Sequence, residues 1–248
     1  MAGIISWLDP VRELVKPAPF GSDHPMRTVT QQIGGGEGWS PERASFVAGV
    51  FDELSVDWHA EHSSNLRLAP LQDALDRGEL GPGRLVEIGC GTGAATARLA
   101  ARRPVAAALD LSPKMLALTD RALAPFVRAD AGALPLASGS VDVMVLVNMF
   151  MFAVEYDRVL APGGQFVWVS TMGDETPIYF PPDEVMHLLP GRWTATGSYA
   201  GTGFWLVARR LEDIEDYYLA AGVLERVRKG REGVHSAGAV RSELGMED

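Results

Sequence analysis

An α/β chain built around a doubly wound, mostly parallel sheet is what this sequence predicts. Three observations carry that expectation. Short apolar runs alternate with helical stretches from residue 81 to residue 210. One run, Val141–Val147, is almost wholly apolar, as a strand buried on both faces should be. A glycine cluster, Gly89-Cys90-Gly91-Thr92-Gly93, stands at the first strand–helix junction.

The elements follow in order. Residues 1–80 read as a helical extension. Trp7–Val15 has a short helical pattern, closed by Pro17-Ala-Pro19. Residues 17–39, rich in Pro and Gly, read as a loop. Ser40-Pro41 starts a helix, because Ser supplies an N-cap oxygen and Pro suits the first helical position. Apolar residues at Phe51, Leu54 and Trp58, then Leu66, Leu68, Leu71 and Leu75, suit helices lying against a body.

Residues 81–210 form the core. Expected strands are 84–88, 105–109, 125–129, 141–147 and 164–170, with helices at 94–103, 113–122, 151–160 and 183–189 between or after them. Strand–helix alternation of this kind means a parallel sheet covered on both faces. Trp193–Tyr199 and Phe204–Arg209, joined by Ala200-Gly-Thr-Gly203, add an antiparallel hairpin and bring the strand count to seven. Residues 211–248 begin with a helical pattern and end in a charged tail expected to be loose.

Composition narrows the function classes. The 248 residues carry 22 Lys+Arg against 32 Asp+Glu, a net charge of −10. That balance argues against non-specific nucleic-acid binding and against adhesion to an acidic membrane surface. A single cysteine excludes an internal disulfide and any four-cysteine metal site. No His/Cys/Asp/Glu cluster has metal-ligand spacing. The apolar stretch 141–154 is short for a bilayer span and is interrupted by Asp142 and Asn148. With no basic start and Asp9 breaking the first apolar run, the expectation is a soluble cytoplasmic protein without a signal peptide.

The chemistry-bearing residues sit at successive strand ends. Glycines in 85–93 let the backbone turn sharply and approach a ligand, although a tight turn without a ligand would read the same. Asp110 closes the second core strand, 23 residues after Glu87, where a carboxylate can accept two ribose hydroxyls. Asp130 closes the third and can accept from a purine amine. Either acid alone would also serve as a helix cap. Together they converge on the carboxyl edge of the sheet, where open α/β sheets bind ligands.

In these segments the chain resembles the class I S-adenosylmethionine-dependent methyltransferases, particularly those acting on small molecules and quinones. Val86-Glu-Ile-Gly89-Cys-Gly91-Thr-Gly93 looks like the family's first motif, and Leu109-Asp110-Leu-Ser-Pro-Lys-Met115-Leu like its second. Arg128-Ala-Asp130-Ala-x-x-Leu-Pro135 looks like the third, and Arg158-Val-Leu-Ala-Pro-Gly-Gly164 like the motif after the fourth strand. The resemblance implies a Rossmann-like seven-stranded sheet, a helical N-terminal lid and S-adenosyl-L-methionine as cofactor. It implies that Gly89 and Gly91 pass under the methionine part and that Glu87 supports the turn or takes the amino group. It further implies Asp110 on the ribose, Leu111 and Met115 beside the adenosine, Asp130 and Ala131 at the adenine, and the Asn148 backbone toward the methionine amine. An aromatic near Phe51 or Trp58 would close over the cofactor.

One departure matters. Asn148 and Arg158 are only ten residues apart, leaving little room for the helix that carries substrate contacts in related enzymes. No catalytic base is therefore transferred. His59 and His62 on the lid helix and His187 read first as surface histidines and only second as acceptor contacts, whereas for Asp174 and Tyr179 loop capping and acceptor contact explain the sequence equally well. His24 and His235 fall in expected loops and are set aside. Of Met149, Phe150, Met151 and Phe152, half are expected in the core and half around an apolar acceptor. Cys90 is expected to be a buried turn residue.

The expected activity is methyl transfer to a small-molecule acceptor on O, N or C, with no nucleic-acid partner, no membrane insertion and no metal. Two alternatives stay open. A nicotinamide-dependent oxidoreductase would share Gly89-x-Gly91-x-x-Ala94 and Asp110. Against it, no Tyr-x-x-x-Lys occurs and the chain has only three lysines, Lys16, Lys114 and Lys229. A non-catalytic cofactor-binding protein would explain the short helix.

Overall fold

The computed structural model describes residues 4–19, 24–34, 38–211 and 229. The chain divides into two compact units, Met1–Arg210 and Leu211–Asp248, and the first contains the sheet and its helices. The helical pattern expected from Leu211 lies outside the described residues beyond that position.

Eight strands form one sheet: β1 (Ile4–Trp7), β2 (Leu85–Ile88), β3 (Val105–Asp110), β4 (Phe126–Arg128), β5 (Val141–Val147), β6 (Leu160–Ser170), β7 (Trp193–Ala200) and β8 (Gly203–Arg210). Their spatial order is β1-β7-β8-β6-β5-β2-β3-β4. β4, β3, β2, β5 and β6 run parallel. The hairpin β7–β8 joins β6 antiparallel, as expected.

The helices are α1 (Pro25–Gly34), α2 (Pro41–His62), α3 (Ala69–Arg77), α4 (Ala94–Ala100), α5 (Pro113–Ala117), α6 (Ala153–Val159) and α7 (Pro182–Leu188). Alternation along β5 divides the core. Val143 and Val145 face a cluster with Leu71 and Ala74 of α3, Ala95 and Leu99 of α4 and Leu116 of α5. Met144 and Leu146 face the other, with Tyr156 and Val159 of α6 and Val185 and Met186 of α7. Both faces of the central strand are thus buried, which explains its unbroken apolar run.

Four expectations are corrected. The sheet has eight strands, not seven, because Ile4–Trp7 pairs parallel with β7, from Ile4↔Thr194 to Trp7↔Gly197. The apolar spacing in 7–15 is not a helix. Val11 and Leu14 stay exposed, Trp7 stacks on Tyr199 at 5.0 Å, and the backbone groups of the sheet edge supply better partners than a helix interrupted by Pro10. The expected loop 17–39 contains α1, whose Met26 and Val29 are buried against Val47, Phe150 and Ile178. The helix expected over 113–122 stops at Ala117, where the Thr119 hydroxyl donates to the Leu116 carbonyl at 2.8 Å and Asp120 accepts from the Ala122 N–H at 3.0 Å.

Elsewhere local signals and structure agree. The Ser40 hydroxyl accepts from the Arg43 N–H at 3.3 Å and opens α2. α3 is pinned to the hairpin through Asp73, only 1% exposed. Its carboxylate accepts from Arg77 at 2.5 Å, from Arg12 at 3.3 Å and from the Trp205 indole at 2.8 Å. Burial opposes its charge, but the Arg77 and Trp205 hydrogen bonds prevail and hold the carboxyl below its ordinary value. Among the described residues no helix is long and apolar enough to cross a membrane.

Candidate active site

The carboxyl ends of β2, β3, β4 and β5 open onto a cavity of ≈ 290 Å³. Every cofactor-site residue expected from the sequence lines it: Glu87, Gly89, Gly91, Asp110, Leu111, Met115, Asp130, Ala131 and Asn148. α2 covers it with one face, Val47, Phe51, Leu54 and Trp58, spaced at helical intervals.

The glycine turn is built around the end of β3. The N–H groups of Gly89 and Cys90 donate to the Leu109 carbonyl at 2.7 and 3.0 Å. The Gly91 N–H donates to Asp110 Oδ2 at 2.7 Å, and the Ser112 N–H to Asp110 Oδ1 at 2.8 Å. Gly89 has φ +76°, and a Cβ there would lie 2.5 Å from the Met149 sulfur. Gly91 has φ +53°, and a Cβ there would stand 3.3 Å from the Trp58 indole nitrogen. Both backbones favour glycine, and at Gly89 the space demands it as well.

Glu87 is buried beneath the turn. The Thr96 hydroxyl donates to its Oε2 at 2.6 Å, while Oε1 has no hydrogen-bond partner among the described residues. Burial first, then the nearby Asp110 charge, pushes the carboxyl up to about 7 despite the Thr96 bond. Burial also raises Asp110, although three backbone N–H groups oppose it.

Asn148 ends β5 with φ +52°, a strained value for a residue with a side chain. Its conformation is fixed from both ends. Its Nδ2 donates to the Thr171 hydroxyl at 2.8 Å, and its Oδ1 accepts from the Thr171 N–H at 2.8 Å. The side chain is thereby turned toward the end of β6.

Asp130 receives the Trp39 indole N–H and the Gly132 N–H. The loop that follows it is clamped by Arg158, which donates to the carbonyls of Leu134 and Leu136 at 3.1 and 2.9 Å and pairs with Glu155 at 2.6 Å. The arginine of the fourth motif thus shapes the wall beside Asp130.

Met149, Phe150 and Phe152 line the cavity, whereas Met151 is buried in the core, so the apolar run divides three to one. Phe51 and Trp58 both reach the cavity and pack edge to face at 5.5 Å. His24, set aside from the sequence, lines it too; its Nδ1 accepts from the Met26 N–H at 3.2 Å, and burial lowers its pKa. Trp39, Thr171, Thr176 and Ile178 also line it and carried no sequence signal. Asp174 is exposed, and its backbone carbonyl accepts from Arg27. Tyr179 packs on Phe204 and under Arg27 rather than in the cavity. His187 is exposed on α7. The side chains of His59 and His62, and all of His235, lie outside the described residues. Cys90 is buried, and burial with the Glu87 and Asp110 charges raises its thiol far above the ordinary value. Among the described residues no group of His, Cys, Asp and Glu could hold a metal ion.

Residues 86–168 match the model of the methyltransferase domain family. That stretch is similar to a methyltransferase domain. The biotin biosynthesis bifunctional protein BioHC of Cellvibrio japonicus is 39% identical over 140 residues, covering 52% of this chain and 26% of that protein. Demethylmenaquinone methyltransferase of Thermus thermophilus is 34% identical over 104 residues, covering 36% of this chain and 47% of that enzyme. The chain thus spans between a quarter and a half of the length of these curated relatives. Two solved structures share the methyltransferase fold. One, described as an S-adenosylmethionine-dependent methyltransferase and possible histamine N-methyltransferase from Thermotoga maritima, superposes with TM-score 0.53 at 18% identity, over 65% of this chain and 98% of that one. The other, a DhpI–SAH complex, gives TM-score 0.53 at 20% identity, over 66% and 94%.

Proposed function

We propose that this methyltransferase domain binds S-adenosylmethionine in the β2–β5 cavity and directs its methyl group to a small-molecule acceptor. The observation that carries this reading is the Oε1 of buried Glu87, unpartnered among the described residues, beneath a turn whose backbone favours glycine. A buried carboxylate oxygen without a donor is costly unless a ligand supplies one. A cationic amine on the cavity side answers both the missing donor and the raised pKa.

The remaining residues fit the rest of that cofactor. Asp110 Oδ2 takes the Gly91 N–H and Oδ1 takes the Ser112 N–H, and the acceptor capacity that the turn does not use is what the carboxylate offers the ribose. Asp130 stands one strand further along, where its carboxylate accepts from the adenine amine. Leu111, Met115 and Ala131 supply apolar contact to the adenosine. The Asn148 N–H is held by the Val169 carbonyl at 2.9 Å, so its own carbonyl is the backbone group offered to the methionine end.

When bound, the cofactor supplies an electrophilic methyl on sulfur with a neutral thioether leaving group, so the chain needs no general acid. The work left to the protein is orientation and exclusion of water. Phe51, Leu54 and Trp58 cover the cavity from α2, and Phe150, Phe152, Met26 and Ile178 line its side with apolar surface. That lining favours an acceptor held by shape and apolar contact, aligned for in-line attack.

Calorimetry with S-adenosylhomocysteine and, in parallel, NAD and NADP tests the reading. Binding of the thioether, abolished in Gly91→Val, is expected. Binding of a nicotinamide nucleotide alone would replace this reading by the oxidoreductase one.

A further inference from the structure

The cavity holds one contact that cofactor binding as proposed does not explain. Trp39 lies between α1 and α2, and its indole N–H sits between the two oxygens of Asp130, 2.9 Å from Oδ1 and 2.8 Å from Oδ2. The Gly132 N–H donates to Oδ1 at 2.7 Å. The ring is packed against Phe152 edge to face at 5.0 Å and against Phe150 at 6.1 Å. It reaches this place because residue 132 is glycine; a Cβ there would lie 2.7 Å from Trp39 Cδ1 and 3.1 Å from its Nε1.

A carboxylate oxygen accepts two hydrogen bonds. Among the described residues, Oδ1 already receives a full N–H from Gly132 and a share of the indole N–H, whereas Oδ2 receives only its share of the indole. The indole also stops the carboxylate from rotating. One acceptor position, on Oδ2, is left with a fixed direction.

We propose that Trp39 is a positioning residue that sets Asp130 as a one-position acceptor and so makes the cavity select a 6-amino purine over a 6-oxo purine. This rests on the reading that Asp130 meets the adenine. An amine N–H satisfies the open position. The carbonyl oxygen of a 6-oxo purine would set lone pair against lone pair there, which costs at least the hydrogen bond that the amine makes.

The test compares the affinities of S-adenosylhomocysteine and S-inosylhomocysteine by calorimetry for the full chain and two variants. Trp39→Phe keeps the ring against Phe150 and Phe152 but has no N–H to donate. Gly132→Ala displaces the unaltered indole, its Cβ falling 2.7 Å from Trp39 Cδ1, and also crowds Asp130 Oδ1 at 3.2 Å, so it supports the Trp39→Phe result rather than replacing it. The wild type is expected to prefer the adenosine compound by about tenfold or more, the value of one well-made hydrogen bond. Both variants are expected to bring the ratio to about threefold or less, by losing affinity for the adenosine compound. A purely structural role for Trp39 would weaken both ligands alike and leave the ratio unchanged, and that result overturns the proposal. Tighter binding of the adenosine compound by Trp39→Phe overturns it as well, because the indole would then be a competitor of adenine. A wild type that binds neither compound overturns the cofactor reading itself, a failure distinct from an unchanged ratio.

Discussion

The Thr96 hydroxyl donates to Oε2 of Glu87 at 2.6 Å and leaves the other oxygen of the same buried carboxyl without a partner among the described residues. The two residues join the end of β2 to the first turn of α4 across the glycine turn, so the acid is held in place whether or not it is charged.

Its charge should be visible in stability. Glu87 titrates near 7 in the folded chain against an ordinary value of 4.5. Below the lower value both folded and unfolded chains hold the proton. Between the two values only the folded chain does, so stability falls as pH rises, and it levels off above the higher value. At about 1.4 kcal/mol per pH unit the fall is roughly 3 kcal/mol. Glu87→Gln, which cannot ionise, should therefore have a higher melting temperature than the wild type at pH 8, and the gap should close toward pH 5. Parallel pH profiles for the two proteins would contradict this assignment.

Binding should move the same proton. A ligand amine beside Oε1 favours the ionised acid, so binding S-adenosylhomocysteine near pH 6.5 should release part of a proton. Calorimetry in phosphate and in Tris would then give different heats for the wild type and equal heats for Glu87→Gln. Buffer-independent heats in the wild type would mean that the amine lies elsewhere.

Asp110 should matter for binding through both the turn it holds and the ligand it meets. In Asp110→Ala the ligand loses the acceptor for its ribose hydroxyls, hydrogen bonds worth about 0.5–3 kcal/mol each. Affinity for S-adenosylhomocysteine should fall by two orders of magnitude or more. Asp110→Asn keeps an acceptor for the turn and should fall less. Equal affinities for the Asp110→Ala variant and the wild type, measured by calorimetry, would remove Asp110 from the ribose.

Asp73 should matter for stability alone. Asp73→Ala strips Arg77, Arg12 and the Trp205 indole of their shared acceptor. The arginines are partly exposed, so a loss of about 2–4 kcal/mol is expected, between the values for surface and buried pairs. Urea denaturation would show it as a lowered midpoint with cofactor affinity intact.

The strand–helix core was legible because its signals are local. The apolar run 141–147, Ser40-Pro41 and the glycine turn each declare a conformation that their own neighbours enforce. Asp110 was legible for the same reason, since it is the last residue of β3, and Asp130 because it follows the end of β4 by two residues. β1 was not, because pairing with Thr194–Gly197 is a bond to a distant edge and the helical spacing in 7–15 is a coincidence of exposed residues. His24 and Trp39 were hidden likewise. His24 comes to the cavity beside α1, which Met26 and Val29 anchor on Phe150 and Ile178, and Trp39 comes to it where Gly132 leaves room, contacts across about 100 residues that no periodicity records.

The strand at the chain's start has one more effect. Without it, the eight-residue β7 would present its unpaired backbone groups to any passing chain. With it, the sheet is hemmed by four residues on one side and three on the other, β1 and β4. Such brief margins are poor templates for self-association. Trimming the first eight residues should therefore first betray itself as turbidity on concentration, with the distant cavity still able to bind.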